Sequence, residues 1–201
     1  MNKKIIGVDI DGVITDEGPD DYNVWHKALC NFTGENLKRV KDAYNFTEAY
    51  NLSESIIERF LEKNIQQIYR DAKPARKAGE KLNRLIDKGF YIYLITARDE
   101  KYRKLTENWL DRHNIPYHTL IHEGDKAPLV RKLGINLFIE DKAENIKEIL
   151  EYKIPVIVFD RYHNRSLNNN HKKLYRVNNW ERAYEIIIRT FNIEKDKERA
   201  G

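Results

Sequence analysis

The sequence predicts an α/β fold, with a mostly parallel sheet between layers of helices and a small helical unit inserted after the first strand. Three observations predict it. Short, uncharged, β-rich runs recur at 5–8, 90–95, 136–139 and 155–159, and runs of that kind are buried strands. Between them lie segments whose apolar residues repeat every three or four positions, as helices covering a sheet do. One long stretch, from Asp16 to about Ala72, has helical periodicity and no strand run.

The elements follow in order. Ile5 to Val8 form the first strand, which empties into Asp9-Ile10-Asp11-Gly12. In the insertion, Tyr22, Trp25, Leu29 and Phe32 predict one helix, Leu37, Val40 and Tyr44 a second short one, and Leu52 to Tyr69 a long amphipathic one with Ser53 as N-cap. Asp16 is a candidate cap for the first of these. Pro74 is placed to start a helix carrying Ala78, Leu82, Leu85 and Ile86, which Gly89 stops. Tyr102, Leu105, Trp109 and Leu110 predict the next helix, and 117–121 a short strand. Asp125 can cap a helix with Pro128 in its first turn, so that Lys126 sits at a helix start. A helix with Ile146, Ile149 and Leu150, an edge strand at 174–177 and a helix from Trp180 to Phe191 complete the core, and the charged tail from Glu194 to Gly201 is expected to fray.

Composition narrows the function. The chain has 201 residues, 41% hydrophobic and 34% charged, enough for one core with a smaller insertion. No apolar run is long enough to span a membrane, and the four apolar residues after Lys4 are too few for a signal peptide, so a cytoplasmic protein is expected. The single cysteine, Cys30, forms no internal disulfide and fits a reducing compartment. A net charge of +4 from 36 basic and 32 acidic residues, interspersed, favours a small anionic ligand over nucleic acid.

Polar groups concentrate at the carboxyl ends of the predicted strands, where open parallel sheets bind ligands. Asp9 and Asp11 follow the first strand, Thr96 ends the second, and Glu140 and Asp141 end another, with Lys126 in a connection that reaches the same crevice. Carboxylates this close repel unless a cation lies between them, and oxygen ligands from two strand ends suit magnesium. An aspartate nucleophile, a second acid, and a lysine with a hydroxyl to hold equatorial oxygens make up a kit for phosphoryl transfer. His26 and Cys30 stand one helical turn apart, as two zinc ligands do, but no second pair accompanies them. His118 and His122 read as surface histidines, and Asp160 with Arg165 as an exposed ion pair or the rim of the crevice.

Asp9-Ile10-Asp11-Gly12-Val13, Thr96 at the end of Leu94-Ile95-Thr96, Lys126, and Glu140-Asp141, in this order, resemble the four motifs of the haloacid dehalogenase superfamily of phosphatases. The resemblance implies a Rossmann-like three-layer core from residues 1–15 and 74–201, with residues 16–73 as a helical cap. It implies that Asp9 is the nucleophile and a magnesium ligand, and that Asp11 is the general acid/base and offers its backbone carbonyl to the metal. Asp141 would be a further ligand. Glu140 stands where an aspartate is commoner and reaches the metal directly or through water. Thr96 and Lys126 would bind phosphate, with Ala97 and Arg98 beside them, although Arg98 can equally pair with a surface acid.

More narrowly, the Asp-x-Asp-Gly-Val start, the cap, and the segments Phe159 to Arg165 and Arg176 to Trp180 resemble bacterial relatives of 5′(3′)-deoxyribonucleotidases. Ala97-Arg98-Asp99 differs from the Ser-Pro type of the better-known members, so their substrate contacts do not transfer. The expected activity is a magnesium-dependent phosphomonoesterase acting through an aspartyl-phosphate on (deoxy)nucleoside monophosphates. Alternatives are another small phosphoester such as a sugar phosphate or phosphoserine, a polynucleotide end, or a non-catalytic phospholigand-binding protein. Oligomeric state is not specified by the sequence.

Overall fold

A computed structural model of the chain describes residues 4–19, 23–168 and 170–193. Tyr22 of the first predicted insertion helix and the tail expected to fray lie outside the described residues. In chain order the elements are β1 (Lys4–Val8), β2 (Thr15–Asp16), α1 (Val24–Thr33), α2 (Phe46–Tyr50), α3 (Glu54–Asp71), β3 (Lys73–Pro74), α4 (Ala78–Asp87), β4 (Phe90–Thr96), α5 (Arg103–Arg112), β5 (Thr119–His122), α6 (Lys126–Lys132), β6 (Leu137–Glu140), α7 (Ala143–Glu151), β7 (Val156–Phe159), β8 (Leu174–Val177) and α8 (Trp180–Thr190).

Six strands form one sheet in the order β5-β4-β1-β6-β7-β8, and every neighbouring pair is parallel. Alternation along the strands sorts the core into two layers. Ile6, Val8, Leu94, Ile139 and Ile157 share one face with Leu82 of α4, Trp109 of α5 and Ile187 of α8. Ile95, Phe138 and Val158 face the other side with Val130 of α6 and Ile146 of α7. Gly7 belongs to this second face, and a Cβ there would lie 2.4 Å from the Phe138 ring, so only glycine lets β1 and β6 pair at full register beside that aromatic.

The chain leaves the sheet after β1 and returns through an antiparallel ribbon in which Thr15 pairs with Pro74 and Asp16 with Lys73. Between the ribbon strands, α1, α2 and α3 bury a cluster of their own from Leu29, Ala49, Tyr50, Ile57 and Phe60. Among the described residues no helix is long and apolar enough to cross a membrane.

Local chemistry corrects several expectations. Leu37, Val40 and Tyr44 form no helix: Val40 and Tyr44 are exposed, Val40 N–H bonds to the Ala49 carbonyl at 2.8 Å, and the helix begins later, where Asn45 accepts from Thr47 N–H. Their spacing is helical, but they have no common surface to bury. Pro74 lies in β3 and does not start α4, which follows Lys77 in a left-handed conformation. Asp16 does not cap α1 either. It is part of the ribbon and accepts from Gly18 N–H, while Asn23 accepts from Trp25 N–H at the helix start. Asp125 makes no side-chain cap, and its N–H instead donates to Glu123. His118 and His122 are half-buried hydrogen-bonding groups, accepting from Ile92 N–H and meeting the Arg98 carbonyl respectively.

Candidate active site

Strand parity brings the first polar groups together. Asp9 continues the face of Gly7, its N–H extends the ladder to the Ile139 carbonyl at 2.9 Å, and Glu140 continues the face of Phe138. Helix α6 packs on that same face, which aims Lys126 at its start between the two acids. Lys126 Nζ donates to Asp9 Oδ1 at 2.5 Å and to Glu140 Oε2 at 2.9 Å, with all three side chains buried.

Glu140 is saturated by protein donors. Besides Lys126, its Oε2 accepts from Asn145 Nδ2 of α7 at 3.0 Å, and its Oε1 accepts from the N–H groups of Asp141 and Lys142. A carboxylate so fully occupied serves first to hold Lys126 and the turn after β6. Burial pulls Glu140 upward, but Lys126 and these donors outweigh it and hold the carboxyl below its ordinary range.

Asp9 and Asp141 are less well compensated. Burial raises Asp9 well above the carboxylate range, with Lys126 opposing and Glu140, Asp141 and Asp11 adding to the rise. Burial likewise raises Asp141, with Glu140 and Glu17 adding and Arg161 opposing. Burial also works against charge on Lys126, yet Asp9 and Glu140 outweigh it and keep the ammonium charged. One lysine thus faces three acids. Oxygen atoms of Asp9, Glu140 and Asp141 lie within 4.8 Å of one another, the group among the described residues that could hold a metal ion. His26 and Cys30 form no such group; His26 bonds to Tyr50 Oη at 2.9 Å and meets Cys30 Sγ at 3.6 Å.

The turn after β1 shapes the rest. Ile14 and Thr15 N–H groups both return to the Ile10 carbonyl at 2.9 Å, and Gly12, at φ 73°, donates its N–H to Thr15 Oγ1 at 3.0 Å. A Cβ on Gly12 would sit 2.1 Å from Asp141 Oδ2, so glycine is demanded both by the backbone and by that carboxylate.

Thr96 is buried at the end of β4, its Oγ1 accepting from Arg98 N–H, and Ala97 beside it is exposed. Arg98 departs from both expectations for it. It neither pairs with a surface acid nor presents a free guanidinium to phosphate: its side chain is fully buried, and Nε and Nη2 donate to the two oxygens of Asp11 at 2.8 and 2.6 Å. The fork of donors finds its matching carboxylate across the sheet ends. Asp160 bonds to Arg176 at 2.7 Å, with Arg165 at 3.8 Å.

Other residues at the site carry little sequence signal. His163 Nε2 lies 3.3 Å from Asp141 Oδ2, and burial pulls its imidazole down to about 4. Asn164 is fully buried and ties the Asp141 and Phe159 carbonyls together at 2.7 and 2.8 Å. Arg161 Nη2 donates to the Gly12 carbonyl at 2.5 Å. Glu17 accepts from Asn23 Nδ2 and Trp25 Nε1, both at 3.0 Å. The one hint in the sequence is a polar run directly after a buried strand, at 160–165.

Above these groups is a cavity of about 720 Å³. Asp11, Glu17, Asp141 and His163 line its floor, and Trp25, Tyr44, Phe46 and Tyr69 line its walls together with Lys41 and Lys142. The cavity can take an organic group among aromatic rings, with Asp11 and Asp141 at its floor.

Comparison with known proteins shows the family. Residues 3–192 match the family described as "5′ nucleotidase, deoxy (Pyrimidine), cytosolic type C protein". A nucleotidase of Clostridium acetobutylicum is 31% identical over 196 residues, covering 95% of this chain and 97% of the relative. A protein of Chlorobaculum tepidum named "putative 5′(3′)-deoxyribonucleotidase" is 26% identical over 201 residues, covering 92% and 91%. Among solved structures, a haloacid dehalogenase-like hydrolase from Streptococcus pneumoniae superposes with a TM-score of 0.66 at 12% identity, over 92% of this chain and 98% of that one, a likeness of fold. The chain belongs to this nucleotidase family of phosphoric monoester hydrolases, and it shares its fold with haloacid dehalogenase-like hydrolases.

Proposed function

We propose that the protein is a magnesium-dependent 5′(3′)-nucleotidase that hydrolyses (deoxy)nucleoside monophosphates through an aspartyl-phosphate on Asp9. The observation that carries this reading is the cluster of buried Asp9, Lys126 and Asp141, of which Asp141 reaches the floor of a cavity with aromatic walls, beside Asp11. A buried acid cluster pushed toward protonation, with hard oxygen donors, fits a divalent cation. Asp9, Asp141 and the Asp11 backbone carbonyl would hold magnesium, with Glu140 acting on it through Lys126 and the turn. When bound, the ion supplies charge neutralisation at the phosphoryl oxygens.

In the first step an Asp9 carboxylate oxygen attacks phosphorus, the ester P–O bond breaks, and Asp11 gives a proton to the departing nucleoside oxygen. In the second, water attacks phosphorus, passes a proton to Asp11, and the bond from phosphorus to Asp9 breaks, freeing phosphate. Lys126 and the Thr96 hydroxyl, with the backbone at Ala97, hold the equatorial oxygens as charge spreads over them. Residues 16–73 form the cap, and Trp25, Phe46 and Tyr69 stack against the base.

The test is phosphate release from deoxy- and ribonucleoside monophosphates, sugar phosphates and phosphoserine, each with magnesium and with chelator. Metal-dependent release favouring deoxynucleotides is expected. Release confined to the other esters would overturn the substrate assignment, and unchanged release in chelator would overturn the metal.

A further inference from the structure

Asp11 has two jobs in the proposed reaction, and the structure assigns a partner to one of them. Arg98 meets it as a fork: Nε to Oδ2 at 2.8 Å and Nη2 to Oδ1 at 2.6 Å. The third nitrogen, Nη1, donates to Thr106 Oγ1 of α5 at 3.3 Å, and the ring of Tyr69, on α3, lies over the guanidinium at 3.9 Å. Arg98 is therefore fixed from the core by Thr106, along the loop by the bond of its own N–H to Thr96 Oγ1 at 3.2 Å, and from the insertion by Tyr69. Asp11 is the open member of the pair, its side chain 26% exposed against 0% for Arg98, and it lines the cavity.

A carboxylate whose two oxygens both accept from a guanidinium has its plane fixed and only acceptor lone pairs left to offer. The fork therefore fixes the direction in which Asp11 presents its oxygens to the cavity. We propose that Arg98 is a positioning residue for the hydrolytic half of the reaction: it holds Asp11 as an aimed carboxylate that takes the proton from the water attacking the Asp9 phosphoryl group. The proton so gained is the one Asp11 gives to the next leaving-group oxygen, so the cycle closes without an outside acid. This rests on the aspartyl-phosphate reading above.

The two half-reactions separate with 4-nitrophenyl phosphate, whose leaving group departs with little help from an acid. Removing the fork in Arg98→Ala should lower kcat roughly 100-fold, the scale of a positioned proton acceptor, with KM falling by the same factor, because kcat/KM reports only phosphoryl transfer to Asp9. Rapid mixing should then show a burst of about one nitrophenolate per active site followed by slow turnover, because phosphoryl transfer to Asp9 outruns its hydrolysis. Arg98→Lys keeps the buried charge and loses the paired donors, and it should show the same burst, which covers the case in which the alanine variant does not fold. Wild-type kcat in the folded variants, or slow turnover without a burst, would overturn the role assigned to Arg98. Asp9→Asn run in parallel keeps the two claims apart: wild-type turnover there would remove the covalent reading itself, whatever Arg98 does.

Discussion

Lys126 Nζ lies 2.5 Å from Asp9 Oδ1, and this bond joins the start of α6 to the end of β1 in a place with almost no access to water. The same ammonium reaches Glu140 at 2.9 Å, so one side chain ties three segments of the site together. Replacing it by methionine, close in length but uncharged, leaves two buried acids without their cation. We expect Lys126→Met to cost about 3–5 kcal/mol, seen in chelator as a fall in Tm of roughly 10 °C. A Tm within a degree of wild type would show that the acids do not depend on this lysine.

In the β1 turn, Gly12 leaves room for the Asp141 carboxyl. Alanine there needs an unfavourable φ of +73° and places a methyl 2.1 Å from Asp141 Oδ2. The turn or the carboxylate must move by about an ångström, a displacement that costs on the order of 100-fold in rate when it misplaces reacting groups. Gly12→Ala should therefore lose activity far beyond any loss in KM, as measured by steady-state kinetics on a folded variant.

Phe46 forms part of the cavity wall and packs against Trp25 and Phe60 at centroid distances of 5.9 and 6.2 Å. Phe46→Leu keeps apolar bulk in that cluster and removes the π face. KM for a deoxynucleoside monophosphate should rise roughly 10-fold, the scale of one base–aromatic stack, while KM for 4-nitrophenyl phosphate changes much less. Equal effects on both esters would place the base elsewhere.

The core was readable in the sequence because a doubly covered parallel sheet writes its strands as uncharged β-rich runs, as at Phe90 to Ile95 and Pro155 to Phe159. The meeting of Asp9, Glu140 and Asp141 was readable for a related reason, since strand ends in such a sheet share one edge. The segment from Leu37 to Tyr44 misled because apolar spacing signals a helix only where one face is buried, and Val40 is 68% exposed. Pro74 misled because a residue without an N–H suits a two-residue edge ribbon as well as a helix start. Arg98 had no reading that named Asp11, since a pair 87 positions apart leaves no local pattern. His163 and Asn164 lay in a polar run that marked a strand end, but their contact with Asp141 is set by how the turn after β7 folds back and left no pattern of its own.

The central claim is that the Asp9 carboxylate attacks phosphorus, and the most direct measurement is phosphate release from a deoxynucleoside monophosphate by wild-type protein and by Asp9→Asn, in saturating magnesium. Asparagine keeps the shape of the side chain and is a poor nucleophile. The account predicts that turnover disappears in Asp9→Asn while circular dichroism shows the same fold. Turnover of the folded variant at the wild-type rate would contradict it.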